Sequence, residues 1–189
     1  LGINTTNVGT LNFTSGIITG AFKRWINSTG TGILFPIGTE DYYRPALTTF
    51  TNLNSGTLTT EFIEVAPGNN GLPLVDVLPV YNTLSEGYWK LTSGDALSST
   101  NYDMEVTGNG MSSFVILPST RILNRANTAS PWTANGTHVA GTGSTVKRSG
   151  MTGIAGEFAM GDLVNCSPPF PTSAISGNAS VCTNQSGEV

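Results

Sequence analysis

Apolar and polar residues alternate over short runs along almost the whole chain. No window keeps the 3.6-residue spacing of an amphipathic helix over the ten or so residues that a helix needs. The clearest run is Tyr102, Met104 and Val106 alternating with Asp103, Glu105 and Thr107. That period of two predicts a strand buried on one face. Comparable runs predict strands over residues 21–27, 33–35, 43–50, 57–66, 87–92, 121–125 and 151–160. Gly108-Asn109-Gly110 predicts a hairpin into a strand over 114–117, because Asn and Gly tolerate positive φ. Asn135-Gly136, flanked by Trp132 and His138, predicts a second hairpin. Two prolines in residues 72–81 reduce that stretch to an extended edge or loop.

The densest run is Phe35-Pro36-Ile37-Gly38-Thr39-Glu40-Asp41-Tyr42-Tyr43-Arg44-Pro45. Its two prolines bar a helix. Residues 38–41 read as a turn, with Tyr42, Tyr43 and Arg44 opening the next strand. Some ten strands at roughly 8–12 residue spacing predict an all-β chain, a β-sandwich with jelly-roll-like or Greek-key connections. Residues 1–20, with Leu11 and Phe13 between Gly and Asn turns, predict a solenoid-like rung or edge strand ahead of it.

Composition sharpens this picture. Charged residues are 11% of the chain, less than half the usual share of about 25%. The sequence holds 27 Thr and 17 Asn, so hydroxyls and amides must form most of the polar surface. Threonine is β-branched and suits a half-exposed pleated face. A net charge of −4 with scattered basic residues argues against nucleic acid as a partner. No apolar run approaches the roughly 20 residues of a membrane span. The opening Leu1, with neither initiating Met nor signal segment, reads as a mature or partial chain.

At Gly161 the composition changes. The sandwich is expected over 21–163, followed by a stiff Pro-rich linker at 164–174, where Ser167-Pro168-Pro169-Phe170-Pro171 falls. Residues 175–189 read as the start of a following domain or as a strand held by another subunit. Cys166 and Cys182, both in this last quarter, are the candidate disulfide.

Candidate chemistry is sparse. The one histidine, His138, has no serine in a Gly-x-Ser-x-Gly turn to serve. One histidine with two remote cysteines cannot build a zinc site. Glu40 with Asp41, and Asp95 with Asp103 and Glu105, are the carboxylates that calcium would use, but no dedicated ligand loop contains them. Glu61 or Glu64 with Glu86 are the candidate pair for a glycosidase, although nothing in the spacing opposes them. The glycine-rich stretch at 141–146 lacks the Lys-Ser/Thr of a phosphate loop and reads as a turn. Trp25, Trp89, Trp132, Tyr42, Tyr43 and Tyr88 are candidate sugar-stacking rings. Aromatics on amphipathic strands more commonly pack a core. No catalytic residue and no cofactor is expected.

Gly9-Thr10-Leu11-Asn12-Phe13-Thr14-Ser15-Gly16-Ile17-Ile18, then Arg24-Trp25-Ile26, then Phe35-Pro36-Ile37-Gly38-Thr39 with Tyr43-Arg44-Pro45, resemble a repeated pattern. It is similar to modules of large secreted surface and adhesin-like proteins of Bacteroidota, many exported by the type IX route. Gly87-Tyr88-Trp89 and Gly156-Glu157-Phe158-Ala159 also fit, and residues 175–182 look like the start of an Ig-like or PKD-like module. The resemblance implies a non-enzymatic, extracellular, structural or adhesive module. Its expected partners are neighbouring domains or copies of itself end to end. The alternative is a carbohydrate-binding module whose partners are surface glycans.

Overall fold

The computed structural model describes residues 10–163. The expected linker, the following segment and Cys166 and Cys182 lie outside them. In chain order the strands are β1 (Ile18–Thr19), β2 (Phe22–Ile26), β3 (Gly32–Phe35), β4 (Ile37–Gly38) and β5 (Ala46–Phe50). Then follow β6 (Gly56–Ile63), β7 (Leu74–Asp76), β8 (Leu78–Val80), β9 (Asn82–Thr83) and β10 (Tyr88–Gly94). The last five are β11 (Tyr102–Thr107), β12 (Arg121–Arg125), β13 (Thr137–Thr142), β14 (Thr145–Met151) and β15 (Gly156–Asp162). No helix occurs among the described residues, so the chain is all-β there.

Two antiparallel sheets carry the fold. One runs β12-β15-β10-β6-β2, with β9 also on β15; the other runs β13-β14-β11-β5-β3. Their side chains meet in one hydrophobic cluster, including Phe35, Phe50, Leu58, Trp89, Met104, Val146 and Phe158. The period of two in β11 is the cause of its place here: Tyr102, Met104 and Val106 enter the cluster and Asp103 stays exposed.

A second cluster lies across the six-stranded sheet from the first. Tyr88, Leu123 and Ala159 belong to it, whereas their neighbours Trp89, Ile122 and Phe158 belong to the main cluster. Successive residues of a strand point to opposite faces, so β12, β15 and the start of β10 are covered on both, while Lys90 and Thr92 farther along β10 are exposed. The cover comes from Val80 of β8 and from Trp132, whose indole N–H donates to the Gly68 carbonyl at 2.7 Å.

Several local expectations change. The strand after the Phe35–Pro45 run begins at Ala46, and Tyr43 makes only an isolated bridge to Gly38. A Cβ at Gly38 would collide with the Tyr42 carbonyl oxygen, so this bridge needs the bare backbone. Gly38→Ala should therefore destabilise by about 1–3 kcal/mol in urea melts, because the clash is with main chain that cannot step aside. Residues 114–117 form no strand; β11 pairs with β14 and β5 instead. The second hairpin closes at residues 143–144, joining β13 to β14, rather than at Asn135-Gly136. Within 10–20 the described strand is β1, paired in parallel with β4 (Ile18 opposite Ile37) as an edge, without a stacked solenoid rung.

Candidate functional site

The groups with chemical potential collect where the sheets meet. Asp76 ends β7, Arg121 opens β12 in the six-stranded sheet, and Arg148 lies on β14 in the five-stranded one. The Asp76 carboxylate accepts from Arg148 Nη1 at 2.7 Å and from Nη2 at 3.2 Å. Arg121 Nε lies 3.1 Å from its Oδ2. One carboxylate thus ties three separate sheets. Arg148 is further fixed by donating to the carbonyls of Asn135 at 2.6 Å and Gly136 at 2.9 Å. Burial pushes the Asp76 carboxyl up, but the Arg148 hydrogen bond and the charges of Arg148 and Arg121 outweigh it and hold it below its ordinary value.

His138 stands beside this knot with Nε2 3.0 Å from the Pro118 carbonyl. Its Nδ1 is buried without a hydrogen-bond partner. Burial, then the charge of Arg121, lower its pKa, so the ring resists protonation. The ring meets the Pro118 carbonyl and the charges of Arg121, Asp76 and Arg148, as a packed imidazole does.

A second buried pair sits in the outer cluster. Arg125 Nε donates to Glu157 at 2.7 Å, and its guanidinium lies 4.1 Å from the Trp132 ring centre and 6.0 Å from that of Tyr88. A fourth guanidinium, Arg44, donates to the Asn109 carbonyl at 2.9 Å and lies 4.7 Å over Phe62 and 5.2 Å over Tyr42. The dense run picked out in the sequence is therefore structural: Phe35, Ile37 and Arg44 are all buried.

The candidate carboxylates are dispersed. Glu40 and Asp41 stand exposed in their turn. Asp95 accepts from the Thr57 hydroxyl at 2.8 Å, Asp103 from the Gly150 amide at 3.0 Å, and Glu105 pairs with Lys147 at 3.0 Å. Among the described residues no three His, Cys, Asp or Glu side chains gather as a metal site would require. Glu86 is engaged by the amides of Ser112 and Ser113 at 2.5 and 2.6 Å. Glu64 is exposed, and its charge and that of Glu86 act on Arg44, while Glu61 lies across from Lys90. Glu64 and Glu86 thus share the charge of Arg44, Glu86 being further held by two amides, while Glu61 faces Lys90.

The candidate stacking rings divide. Trp89 and Trp132 are core, at 0% and 2% exposure, and Tyr88 is buried between its neighbours. Trp25 is half-buried, and Tyr43 stacks on Phe13 at 5.6 Å with 9° between the rings. Tyr42 alone of the six is exposed, at 44%. Sequence reading overlooked Asp76, Arg121, Arg125 and Glu157. In a chain with only eight basic residues, two arginines four apart on an alternating strand were the available signal.

The structure also leaves a groove of about 620 Å³ on the six-stranded sheet, lined by Tyr88, Lys90 and residues 91–93, by residues 126–128 and by the start of β15. Compared with known proteins, the chain matches no family model, no curated protein and no solved structure. No helix among the described residues is long and apolar enough to cross a membrane, which says nothing of β-barrels.

Proposed function

We propose that this chain is a non-enzymatic structural or adhesive module of a large extracellular bacterial surface protein or fibre. In this reading the two large sheets are the layers of a β-sandwich, and neighbouring domains or further copies attach end to end. The observation that supports it best is the Asp76 knot, in which strands of three sheets share one half-buried carboxylate between two buried arginines. An enzyme holds its ionisable groups towards a substrate; here they face each other and brace the body. The low charge and the resemblance to Bacteroidota surface modules favour the same setting, with type IX export as the proposed route.

A load-bearing role has a mechanical signature. A single chain held by its ends in an optical trap should unfold in one abrupt step, and Asp76→Asn should lower that force clearly. Gradual extension without a step, equal in both proteins, would remove the structural reading. The carbohydrate-binding alternative retains Trp25, Tyr42 and Tyr43, with the exposed Tyr42 ring over Arg44 in its favour. Glycan-array signal lost in a folded Tyr42→Ala variant would establish it.

A further inference from the structure

We infer that the groove on the six-stranded sheet is a docking site for a short extended peptide, which would add a strand segment in line with β15. In the order β12-β15-β10, β15 is the middle strand. Its antiparallel pairing with β10 ends where Gly156 lies opposite Leu91. β10 itself continues, and its other edge stays paired with β6 as far as Gly94 opposite Thr57. Residues 92 and 93 are therefore held in strand conformation with one edge used and the other facing the groove.

The residues that would have extended β15 leave the sheet level. The Gly153 amide donates to the Ser99 carbonyl at 3.3 Å, the Tyr102 hydroxyl donates to the Gly153 carbonyl at 3.3 Å, and Ile154 is buried in the main cluster. Across the gap, residues 126–128 turn away after Arg125, which is opposite Glu157. Where they still flank β15, β12 and β10 stand two strand spacings apart, roughly 9.6 Å, so the groove opens there with the width of one backbone. The groove coincides with that missing length of strand.

The lining defines the occupant. Alternate backbone N–H and C=O groups of an open strand edge recognise main chain and give affinity without regard to sequence. A peptide residue opposite Ser93 would point inward onto Ile154, which allows only a small side chain. One opposite Thr92 would point outward beside Lys90, Thr128 and Glu157. Around the groove Lys90 and Arg125 are balanced by Glu61 and Glu157. A neutral segment of alternating small and hydroxyl side chains fits this surface. A sugar would seek a ring face, and the one aromatic in the lining, Tyr88, is buried. The inference is independent of the structural-module reading, which stands whether or not a peptide binds.

The test uses an acetylated, amidated pentapeptide of alternating threonine and alanine, titrated into the isotope-labelled chain and followed by backbone amide NMR. Shifts should concentrate at residues 91–94, 126–128 and 156. Ala126→Trp and Ala155→Trp, both at exposed positions that line the groove, should weaken binding at least tenfold while leaving the thermal midpoint unchanged. The same peptide methylated on its backbone nitrogens should lose binding to a similar degree. Equal binding by the methylated peptide, no shifts at 91–94, or the same shifts with maltotriose would each overturn the proposal.

Discussion

Asp76→Asn is expected to lose about 3–5 kcal/mol of unfolding free energy in urea titrations, the largest effect of any single charge change here. The substitution preserves shape but leaves Arg121 and Arg148, both buried, without a counter-charge. Removing the whole knot should be far milder. Asp76→Leu combined with Arg121→Met and Arg148→Met keeps volume and strips out the desolvation cost, so most of the lost stability should return. A loss below about 1 kcal/mol in Asp76→Asn would mean that water screens the knot, as it does an exposed pair.

The same cluster sets the response to acid. The folded Asp76 carboxyl is held below its ordinary value of about 3.9, so its contribution is complete above that pH and disappears as pH falls through the depressed folded value. His138 acts earlier. Its folded pKa is lowered by burial and by Arg121, so the unfolded chain takes up a proton first, near pH 6.5, and stability declines as pH drops below that point. Arg148 also opposes its protonation, while Asp76 and the Pro118 carbonyl favour it. Midpoints measured from pH 7 downward should fall in two stages. Glu86, pushed up by burial but held low by the Ser112 and Ser113 hydrogen bonds, shares the lower one, so Asp76→Asn should shrink that stage without abolishing it.

Trp89→Ala is expected to cost about 3–5 kcal/mol. The indole is wholly buried, meets Phe62 edge-on at 5.2 Å and donates to the Arg44 carbonyl at 2.8 Å. Trp89→Phe should recover most of the volume but leave that carbonyl without its donor, a loss of roughly 1–3 kcal/mol. Tyr42→Ala, at an exposed ring, should stay below about 1 kcal/mol. The comparison matters for function. Sugar binding abolished by Trp89→Ala would report a collapsed core, whereas binding abolished by Tyr42→Ala in a stable protein would report a contact.

Strands with one buried face were legible from sequence alone, as β11 shows, because burial imposes a period of two that needs no knowledge of the partner. The turns were harder. Gly108-Asn109-Gly110 has hairpin chemistry, but the Asn109 side chain donates to the Tyr43 carbonyl and accepts from the Ser144 hydroxyl. The following segment is held by Glu86 through Ser112 and Ser113, 26 and 27 residues away in sequence. Asn135-Gly136 likewise serves elsewhere, its carbonyls binding Arg148 and its amide side chain reaching Thr152 at 2.6 Å.

The turn of the β7–β8 hairpin gave no local sign. Its turn residue, Val77, adopts φ 63°, where glycine or asparagine is the usual occupant. The site was illegible for the same reason as these turns. Asp76 lies in a run that two prolines mark as an extended edge or loop, and its partners are 45 and 72 residues further on. Spacing cannot signal a meeting that only the packing of three sheets creates.

The double cover over β15 has a further consequence. Its residues 157–162 are buried and flanked by β12 on one edge and by β10 and β9 on the other. Water therefore has no open flank from which to reach their backbone hydrogen bonds, whereas β13 is largely bare along its length. Opening motions must begin at that rim and work inward. That doubly shielded ribbon is then the keel of the molecule, and it parts only when everything around it has already gone.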